Sequence, residues 1–514
     1  MKYKIKVSYI LQIVILVLIF SCRANDREQL FSFSGATASV KINLLGSDYQ
    51  NSQINIKENT AFLEDEKIEV LSPSSFISFR ESYEPRKSVA DVLASNIMFR
   101  VLVYNSNYDY ITSRDYIVGA LPTSLPLMLD GDSVYNIVVY SYNTKFLPIL
   151  SSIEQGNLAN AQVSYDNNNP DFMYYQTLFI PSGGSNNLNI ILRHKLSNVT
   201  INIKDNTNMG FSIINRVSLT GHYTKGFFSL SNGNASVKDS PSLRNFVFDA
   251  AQFSPTAINA KSNTLFMNTG AAALVNFAGN IVINGIAKQL SFNGLFTIKP
   301  GFKQIFSLNY TNCGVYLGSN YTNWKNMMCY NLGSNPSVNS LIPNQFLNGA
   351  KYQWGNMNPI KTQTQDLLNY LDDSPWNTIP ASNDSWSDII KTANDPCPTG
   401  YRVPTIDQWN AIISNYSNPN KNTTIEKVGA WLNDETFSTV IYFRDALNGR
   451  TLMLPTAGYR DYTDGRLYVR GAYGYYWSSS YTNSQAHSLY FTNTGLMSGA
   501  YFVTSGFSVR CIEE

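Results

Sequence analysis

Charged residues are scarce in this chain of 514 residues. Lys, Arg, Asp and Glu together make up 14% of it, whereas roughly a quarter is usual for a globular protein. The net charge of +2 is spread along the sequence without blocks. A basic patch or stripe is the electrostatic footprint of a nucleic-acid-binding protein, so we expect no nucleic-acid partner.

Histidine is rarer still, with three residues in the whole chain. His194 shares an alternating strand face with apolar residues, which predicts a core histidine with satisfied hydrogen bonds. His222 and His487 lie in separate blocks, without a Cys or a carboxylate at the spacing of a metal site. The sequence therefore predicts no metal site, no cofactor and no serine-hydrolase triad.

The apolar run at residues 9–20 is too short for a membrane-spanning helix, which needs about 20 residues. Lys2, Lys4 and Lys6 precede it, an arrangement typical of a signal peptide. The run ends at Ser21-Cys22, and a small residue directly before Cys resembles a bacterial lipobox. We therefore expect a signal peptide at 1–21, acylation of Cys22, and a lipid-anchored linker at 22–36. The alternative is a plain signal peptide with an incidental cysteine.

Acyl chains on Cys22 would anchor the protein firmly to a membrane, since each buried CH2 contributes about 0.8 kcal/mol. We expect this to be the outer membrane, with the protein at the cell surface. Acylation of Cys22 would also leave four of the five cysteines for disulfides, and four cysteines allow three pairings. We favour Cys313 with Cys329 and Cys397 with Cys511, because each pair then lies inside one block of similar composition. Closing the longer loop would stabilise the fold by roughly 4 to 5 kcal/mol.

Tryptophan is absent from the first 310 residues, and this marks a domain boundary. Before it, short segments such as 40–44, 97–103 and 188–196 alternate apolar and polar residues, which is typical of half-buried strands. The pair Asn284-Gly285 predicts a tight hairpin turn, and no long amphipathic helix is evident. We therefore expect a mainly β protein with two tandem β-sandwich domains, at 37–166 and 170–310.

These segments also resemble a known family. Phe99-Arg100-Val101-Leu102-Val103-Tyr104, the run 135–143 and Leu192-Arg193-His194-Lys195-Leu196 look like strands of fimbrillin-like proteins. That resemblance implies a surface lipoprotein that forms or decorates fimbriae and whose subunits assemble by strand exchange after proteolytic trimming. A further domain after residue 310 would hinder a C-terminal donor strand, so an accessory or tip subunit is expected rather than a stalk subunit.

The C-terminal block contains a helix signal. Thr405 and Gln408 have the spacing of a capping box, and Ile406, Trp409 and Ile412 then fall on one helical face. A second, weaker helix is expected at 364–371. Among small serines, Trp477 is expected to be the packing anchor of the domain.

Five motifs in this block resemble the FISUMP (major paralogous) domain family, which implies an α+β C-type-lectin-like fold at 311–514. They lie at 324–333, 348–355, 397–405, 476–480 and 506–511. The Glu-Pro-Asn, Gln-Pro-Asp and Trp-Asn-Asp signatures of calcium-dependent lectins are absent. The same fold class includes formylglycine-generating enzymes, which need free thiols. Because a disulfide-bonded cysteine is no nucleophile, we expect no enzymatic activity.

The loop region at 459–471 is the expected binding surface of this domain. Tyr and Arg dominate it, and both are enriched at binding hot spots. The candidate ligand-binding residues are Tyr459, Arg460, Asp461, Tyr462, Arg466, Tyr468 and Arg470. The alternative is a hydrophilic hairpin that exposes ordinary tyrosines.

The sequence thus predicts an acylated surface protein that acts as an accessory or tip adhesin for a host, bacterial or glycan ligand. Its expected partners in a fimbria are other fimbrial subunits, which it would join by strand exchange. Two alternatives stay open. One is a glycan-binding lipoprotein of a nutrient-capture system, and the other is a structural surface lipoprotein without a ligand.

Overall fold

The computed structural model describes residues 36–50, 66–84, 90–119, 126–168, 171–368, 376–416, 424–433 and 437–514. The expected signal peptide, Cys22 and nearly all of its linker lie outside these ranges, as does the end of the helix expected at 364–371. Within the described ranges, no helix is long and apolar enough to cross a bilayer.

Strands dominate the structure, which confirms the mainly β prediction. Those before residue 313 are β1 (Thr37–Asp48), β2 (Lys67–Ser72), β3 (Ser75–Tyr83), β4 (Met98–Tyr104), β5 (Tyr110–Ile117), β6 (Leu127–Asp130), β7 (Tyr135–Ser141), β8 (Gln162–Asp166), β9 (Met173–Phe179), β10 (Gly184–His194), β11 (Ser197–Asp205), β12 (Phe211–His222), β13 (Lys225–Ser229), β14 (Ala235–Lys238), β15 (Ser242–Phe246), β16 (Asn259–Lys261), β17 (Leu265–Met267), β18 (Ala273–Ile283), β19 (Ile286–Ile298) and β20 (Lys303–Asn312). Those after it are β21 (Gly314–Gly318), β22 (Thr322–Asn326), β23 (Tyr401–Arg402), β24 (Ile425–Val428), β25 (Val440–Arg444), β26 (Arg450–Pro455), β27 (Tyr459–Arg460), β28 (Leu467–Tyr468), β29 (Gly474–Thr482), β30 (Gln485–Phe491), β31 (Leu496–Tyr501) and β32 (Ile512–Glu513).

Within the described ranges, helices are few and short. They include two α-helices, α1 (Gln363–Leu367) and α2 (Ile406–Tyr416), and single turns of 3-10 helix at Ala250–Phe253 and Gln345–Leu347. The capping box predicted for α2 is confirmed: the amide of Thr405 donates to Gln408 Oε1 at 2.8 Å, and the amide of Gln408 donates to Thr405 Oγ1 at 3.1 Å. Trp409 and Ile412 are buried on one face of α2, as the periodicity predicts.

The chain folds into two compact units, and both are discontinuous in sequence. Counting only residues that the structure describes, the first unit is drawn from the ranges Met1–Asp48, Lys87–Lys195 and Lys225–Ser236, and the second from Tyr49–Arg86, Leu196–Thr224 and Val237–Glu514. Strand β3, for example, pairs with β20, which lies more than two hundred residues later in the chain. The domain boundaries expected from the sequence place β3 in the first sandwich, at 37–166. An alternating pattern identifies a strand but does not identify its partner.

In the first unit, seven strands form one sheet in the order β5-β4-β7-β9-β10-β1-β6. Strands β1 and β10 are parallel, and the pairs β4–β7, β7–β9 and β9–β10 are antiparallel. His194, at the end of β10, is 5% exposed, and its Nδ1 lies 2.6 Å from Asp171 Oδ1. Its Nε2 lies 3.1 Å from Ser47 Oγ, so the predicted core histidine with satisfied hydrogen bonds is confirmed.

In the second unit, a sheet of β16-β11-β20-β3-β2, with β17 beside β11, packs against a sheet of β15-β12-β18-β19. Alternate residues of both sheets meet in one core, in which Phe296 stacks on Phe306 at 4.2 Å between ring centroids. The predicted hairpin joins β18 and β19. Asn284 and Gly285 adopt φ values of 49° and 75°, as a two-residue primed turn requires.

The C-terminal part of the second unit consists of small antiparallel sheets, β24-β25-β26 and β29-β30-β31, with α2 packed beside them. Trp477 has no exposed surface, and its Nε1 donates to the carbonyl of Tyr352 at 2.7 Å. Phe507 stacks on Trp477 at 4.1 Å. The prediction that Trp477 anchors the core is confirmed.

Candidate functional site

Two disulfides stabilise the C-terminal part of the second unit, and they are the two pairings favoured from the sequence. Cys313 and Cys329 are bridged across 16 residues, and Cys397 and Cys511 across 114. The longer bridge joins the chain before α2 to the C-terminal end, which keeps the loops between them in a closed domain. All the cysteines of the described residues are thereby engaged.

Next to the second bridge, Arg510 is buried and 1% exposed. Its Nε donates to Asn331 Oδ1 at 2.9 Å, and its Nη1 donates to the carbonyl of Cys329 at 2.7 Å. Burial lowers the pKa of Arg510 to about 10, although the neighbouring Tyr476 opposes that shift. The guanidinium thus connects the C-terminal strand to the segment that carries the first disulfide.

The hairpin β27–β28 carries the residues expected to bind a ligand. Tyr459 and Tyr468 are directly opposite each other in register, and their rings stack with centroids 5.8 Å apart. The turn between them is fixed by side-chain hydrogen bonds: Asp461 Oδ1 accepts from the amide of Thr463 at 2.9 Å, and Asp464 Oδ1 accepts from the amide of Arg466 at 3.0 Å. The hairpin is therefore ordered by its own Asx turns.

Tyr459 continues a row of aromatic rings across the neighbouring sheet. Its ring meets that of Tyr475 edge-on at 4.9 Å, and Tyr475 stacks on Tyr490 of β30 at 5.7 Å. Tyr501 lies 5.6 Å from Tyr475, also edge-on. We call the surface formed by the residues of this row and its flanks the tyrosine face; it comprises Tyr459, Tyr468, Tyr473, Tyr475, Tyr490 and Tyr501.

The tyrosine face is open to solvent at two places. Tyr468 and Tyr473 are 42% and 38% exposed, whereas Tyr475 is 7% exposed. Nearby in sequence, Tyr462 of the hairpin turn packs against Phe502 at 4.2 Å, and both of these side chains are exposed as well. Aromatic rings with polar tips combine contact area with hydrogen bonding, so the surface can bind a ligand without contributing charge.

A fully buried group of charges lies under the hairpin. Arg460 Nε donates to Asp366 Oδ1 at 2.7 Å, and Lys351 Nζ lies 3.1 Å from Asp366 Oδ2. Arg470 donates from Nη1 to the backbone carbonyl of Asp366 at 2.9 Å. Burial lowers the pKa of Lys351, and the carboxylate of Asp366 opposes this shift. The carboxylate of Asp366 in α1 thus holds two cationic side chains, Arg460 and Lys351, and its backbone carbonyl holds a third, Arg470.

The structure corrects two of the seven candidate ligand-binding residues. Arg460 and Arg470 are 0% and 3% exposed, so they support the hairpin from inside and do not reach a ligand at its surface. The reason is Asp366, which lies about a hundred residues earlier and which the sequence pattern did not connect with them.

The other five candidates, Tyr459, Asp461, Tyr462, Arg466 and Tyr468, are half-buried or exposed in the hairpin. Whether they bind a ligand stays a prediction. Sequence reasoning missed Tyr490 and Tyr501, which the sheet β29-β30-β31 brings to the same surface, and Tyr473, which directly precedes β29 and contacts Tyr475. Their alternation along strands identifies a face, but it does not show that the hairpin of β27 and β28 adjoins it.

Three tyrosines of this face, Tyr459, Tyr475 and Tyr501, have raised pKa values. Burial raises the pKa of Tyr501 to about 12, with a further contribution from Tyr490. Burial likewise raises the pKa values of Tyr459 and Tyr475. Their hydroxyl groups are therefore neutral donors and acceptors under physiological conditions.

Three cavities of the second unit, of about 340, 450 and 470 Å³, are lined by residues outside the tyrosine face. Among the residues that the structure describes, no three His, Cys, Asp or Glu side chains are grouped to hold a metal ion. A ligand of the tyrosine face would contact its exposed rings, those of Tyr468 and Tyr473.

Comparison with known proteins relates this part of the chain to a family. The family described as Fibrobacter succinogenes major domain matches residues 308–513, the region that carries both disulfides and the tyrosine face. No curated protein matches the chain.

Solved structures show weaker similarity. A candidate cell adhesion protein from Bacteroides fragilis is 12% identical, over 53% of this chain and 97% of its own, with a TM-score of 0.31. The fimbrial anchor protein Mfa2 from Porphyromonas gingivalis is 9% identical, over 49% of this chain and 82% of its own, with a TM-score of 0.27. A candidate adhesin from Bacteroides thetaiotaomicron is 10% identical, over 49% and 79% respectively, with a TM-score of 0.29.

Proposed function

We propose that this protein is a cell-surface adhesin that binds its partner through the tyrosine face and performs no chemistry. The observation that carries the proposal is the solvent-exposed pair Tyr468 and Tyr473 above a rigid aromatic row. Tyrosine supplies large contact area at low conformational cost, which is why it dominates binding surfaces. The cysteines of the described region are all in disulfides, so none of them is a nucleophile.

In this proposal, Cys22 anchors the chain to the outer membrane, and the C-terminal domain binds the partner. The resemblance of the strand segments to fimbrillin-like proteins supports an accessory or tip position in a fimbria. The sequence feature behind the anchor is Ser21-Cys22 after an apolar run. The protein would then be displayed where a partner on another cell can reach it.

The test uses a strain that lacks the gene and strains complemented with the full chain. We expect adhesion to a panel of animal cells and bacteria to fall without the protein and to return with the wild type. Purified full-length protein, added in excess, should compete with the displayed protein. Adhesion that is the same with and without the protein would contradict the proposal.

Shearing the cells separates the fimbrial position from its main alternative. An accessory or tip subunit should be recovered with the sheared fimbriae. Recovery only with the outer membrane, together with growth loss on a polysaccharide, would favour a lipoprotein of a nutrient-capture system.

A further inference from the structure

We propose that the ligand of the tyrosine face is an uncharged saccharide chain, an inference that rests on the proposed function and specifies its partner. The exposed apolar side chains of this surface are of a type that suits a sugar ring. From Tyr459 to the C-terminus, the exposed large hydrophobic residues are all aromatic: Tyr462, Tyr468, Tyr473 and Phe502. A pyranose ring has C–H groups on its faces and hydroxyl groups at its rim. It therefore matches an aromatic ring that has an apolar face and a polar tip.

The exposed cation of the hairpin turn already has a partner. Arg466 and Asp464, the exposed ions of the turn, pair with each other at 3.3 Å. Asp461 Oδ1 accepts hydrogen bonds from the amide and the hydroxyl of Thr463. The strong cations Arg460 and Arg470 are buried on Asp366 below the face. An anionic polymer would therefore find no exposed cation without a partner in the hairpin region 459–471, whereas a neutral polymer needs none.

The rings of the tyrosine face are held in place before any ligand binds. Tyr459 is fixed by ring contacts to Tyr468, Tyr475 and Phe507, and the strand that carries it is held by the buried Arg460. Saccharides gain little from each contact, so a surface that loses little side-chain freedom on binding has an advantage. A row of rings, open along the surface and not enclosed in a cavity, suits a chain of repeating units better than a single small molecule.

The inference is tested with the purified full-length protein and immobilised polysaccharides of known charge. The neutral probes are glucan, mannan and xylan, and heparin is the anionic probe. We expect binding to at least one neutral probe, unaffected by raised salt, and a roughly tenfold loss with Tyr468→Ala. The matched control is Phe346→Ala, which removes an aromatic side chain of similar exposure outside the tyrosine face. That control should bind like the wild type.

Binding to heparin alone, or equal binding by Tyr468→Ala and the wild type, would overturn the inference. Thermal unfolding of both variants shows whether the fold is retained, and Tyr468→Phe keeps the ring if the alanine variant is unstable. A folded Tyr468→Phe protein that binds a neutral probe within a few fold of the wild type supports stacking.

Treatment of the target cells tests the saccharide ligand separately from the proposed adhesin function, on which that inference rests. Periodate cleaves vicinal diols of saccharides, and protease removes surface proteins. Adhesion lost after periodate supports the saccharide ligand. Adhesion that survives periodate but not protease overturns the saccharide ligand and leaves the adhesin in place. Adhesion that is insensitive to Tyr468→Ala overturns both.

Discussion

Arg460 donates from Nε to Asp366 Oδ1 at 2.7 Å, and both side chains are excluded from solvent. This ion pair joins the short helix α1 to the hairpin that carries Tyr459 and Tyr468. Lys351 shares the same carboxylate. The exposed aromatic surface therefore lies over a buried ion pair. Loss of that ion pair should destabilise the hairpin that carries the tyrosines.

Asp366→Asn should destabilise the second unit by about 3 to 5 kcal/mol, because it leaves buried cations without their counter-ion. Urea unfolding of the full chain measures this. The control is Asp464→Asn, which removes one partner of a solvent-exposed ion pair with Arg466. Such pairs contribute little, so this variant should unfold like the wild type. Equal midpoints for both variants would contradict the account.

The two disulfides should differ in their contribution. Replacing Cys397 and Cys511 by serine opens a loop of 114 residues and should cost roughly 4 to 5 kcal/mol, whereas Cys313 and Cys329 close 16 residues and should cost roughly 3 kcal/mol. Urea unfolding of the two double variants compares them. A larger loss from the shorter loop would show that chain entropy does not dominate.

Tyr501 should make stability depend on pH in the alkaline range. Burial raises its pKa to about 12 in the folded protein, above its ordinary value of 10.0. The folded state therefore binds this proton more tightly than the unfolded state. The resulting stabilisation is complete below pH 10 and is lost as pH rises through about 12. The unfolding free energy of the wild type minus that of Tyr501→Phe should be constant below pH 10 and should fall above it. A flat difference throughout would contradict the shift.

Arg100 is a buried charge of the first unit, and its removal should destabilise that unit. Burial by itself would lower the pKa of Arg100, but its hydrogen bond to Asp115 and the charges of Tyr140 and Glu154 outweigh this and raise it. Its Nε lies 2.7 Å from Asp115 Oδ1, and its Nη1 donates to Tyr140 at 3.0 Å. Arg100→Met should destabilise the unit by about 3 to 5 kcal/mol, because Glu154 remains buried without its cation.

Hydrogen exchange of peptides from β4 and β7 in the full chain measures the Arg100 effect. The matched control is Arg193→Met, whose ion pair with Asp48 is largely exposed. It should leave exchange in these strands unchanged. Faster exchange in the control than in Arg100→Met would be the opposite of what we expect.

Local signals in the sequence predicted local structure well. The capping box of Thr405, the Asn284-Gly285 turn and the buried Trp477 each depend on residues close in sequence or on strong burial preference. The disulfide pairing of Cys397 with Cys511 followed from composition, because a compact domain of one composition has its cysteines within reach of each other.

Contacts between residues that are distant in sequence could not be predicted from such local signals. The pairing of β3 with β20, and the capture of Arg460 and Arg470 by Asp366, join segments that no periodicity connects. Arginine in a polar loop suggests an exposed hot spot until its counter-ion is known. For the same reason, the sequence indicated the hairpin tyrosines but not Tyr490 of the neighbouring sheet.

The central claim is that the tyrosine face makes the adhesive contact. Cells that display the full chain at equal surface density, as wild type, as Tyr459→Ala with Tyr468→Ala, or as Phe346→Ala, should be compared in one flow-chamber adhesion assay. We predict that the double variant retains a tenth or less of the wild-type adhesion, since a few central residues carry most binding energy, and that Phe346→Ala adheres like the wild type. Full adhesion by a correctly folded double variant would contradict the account.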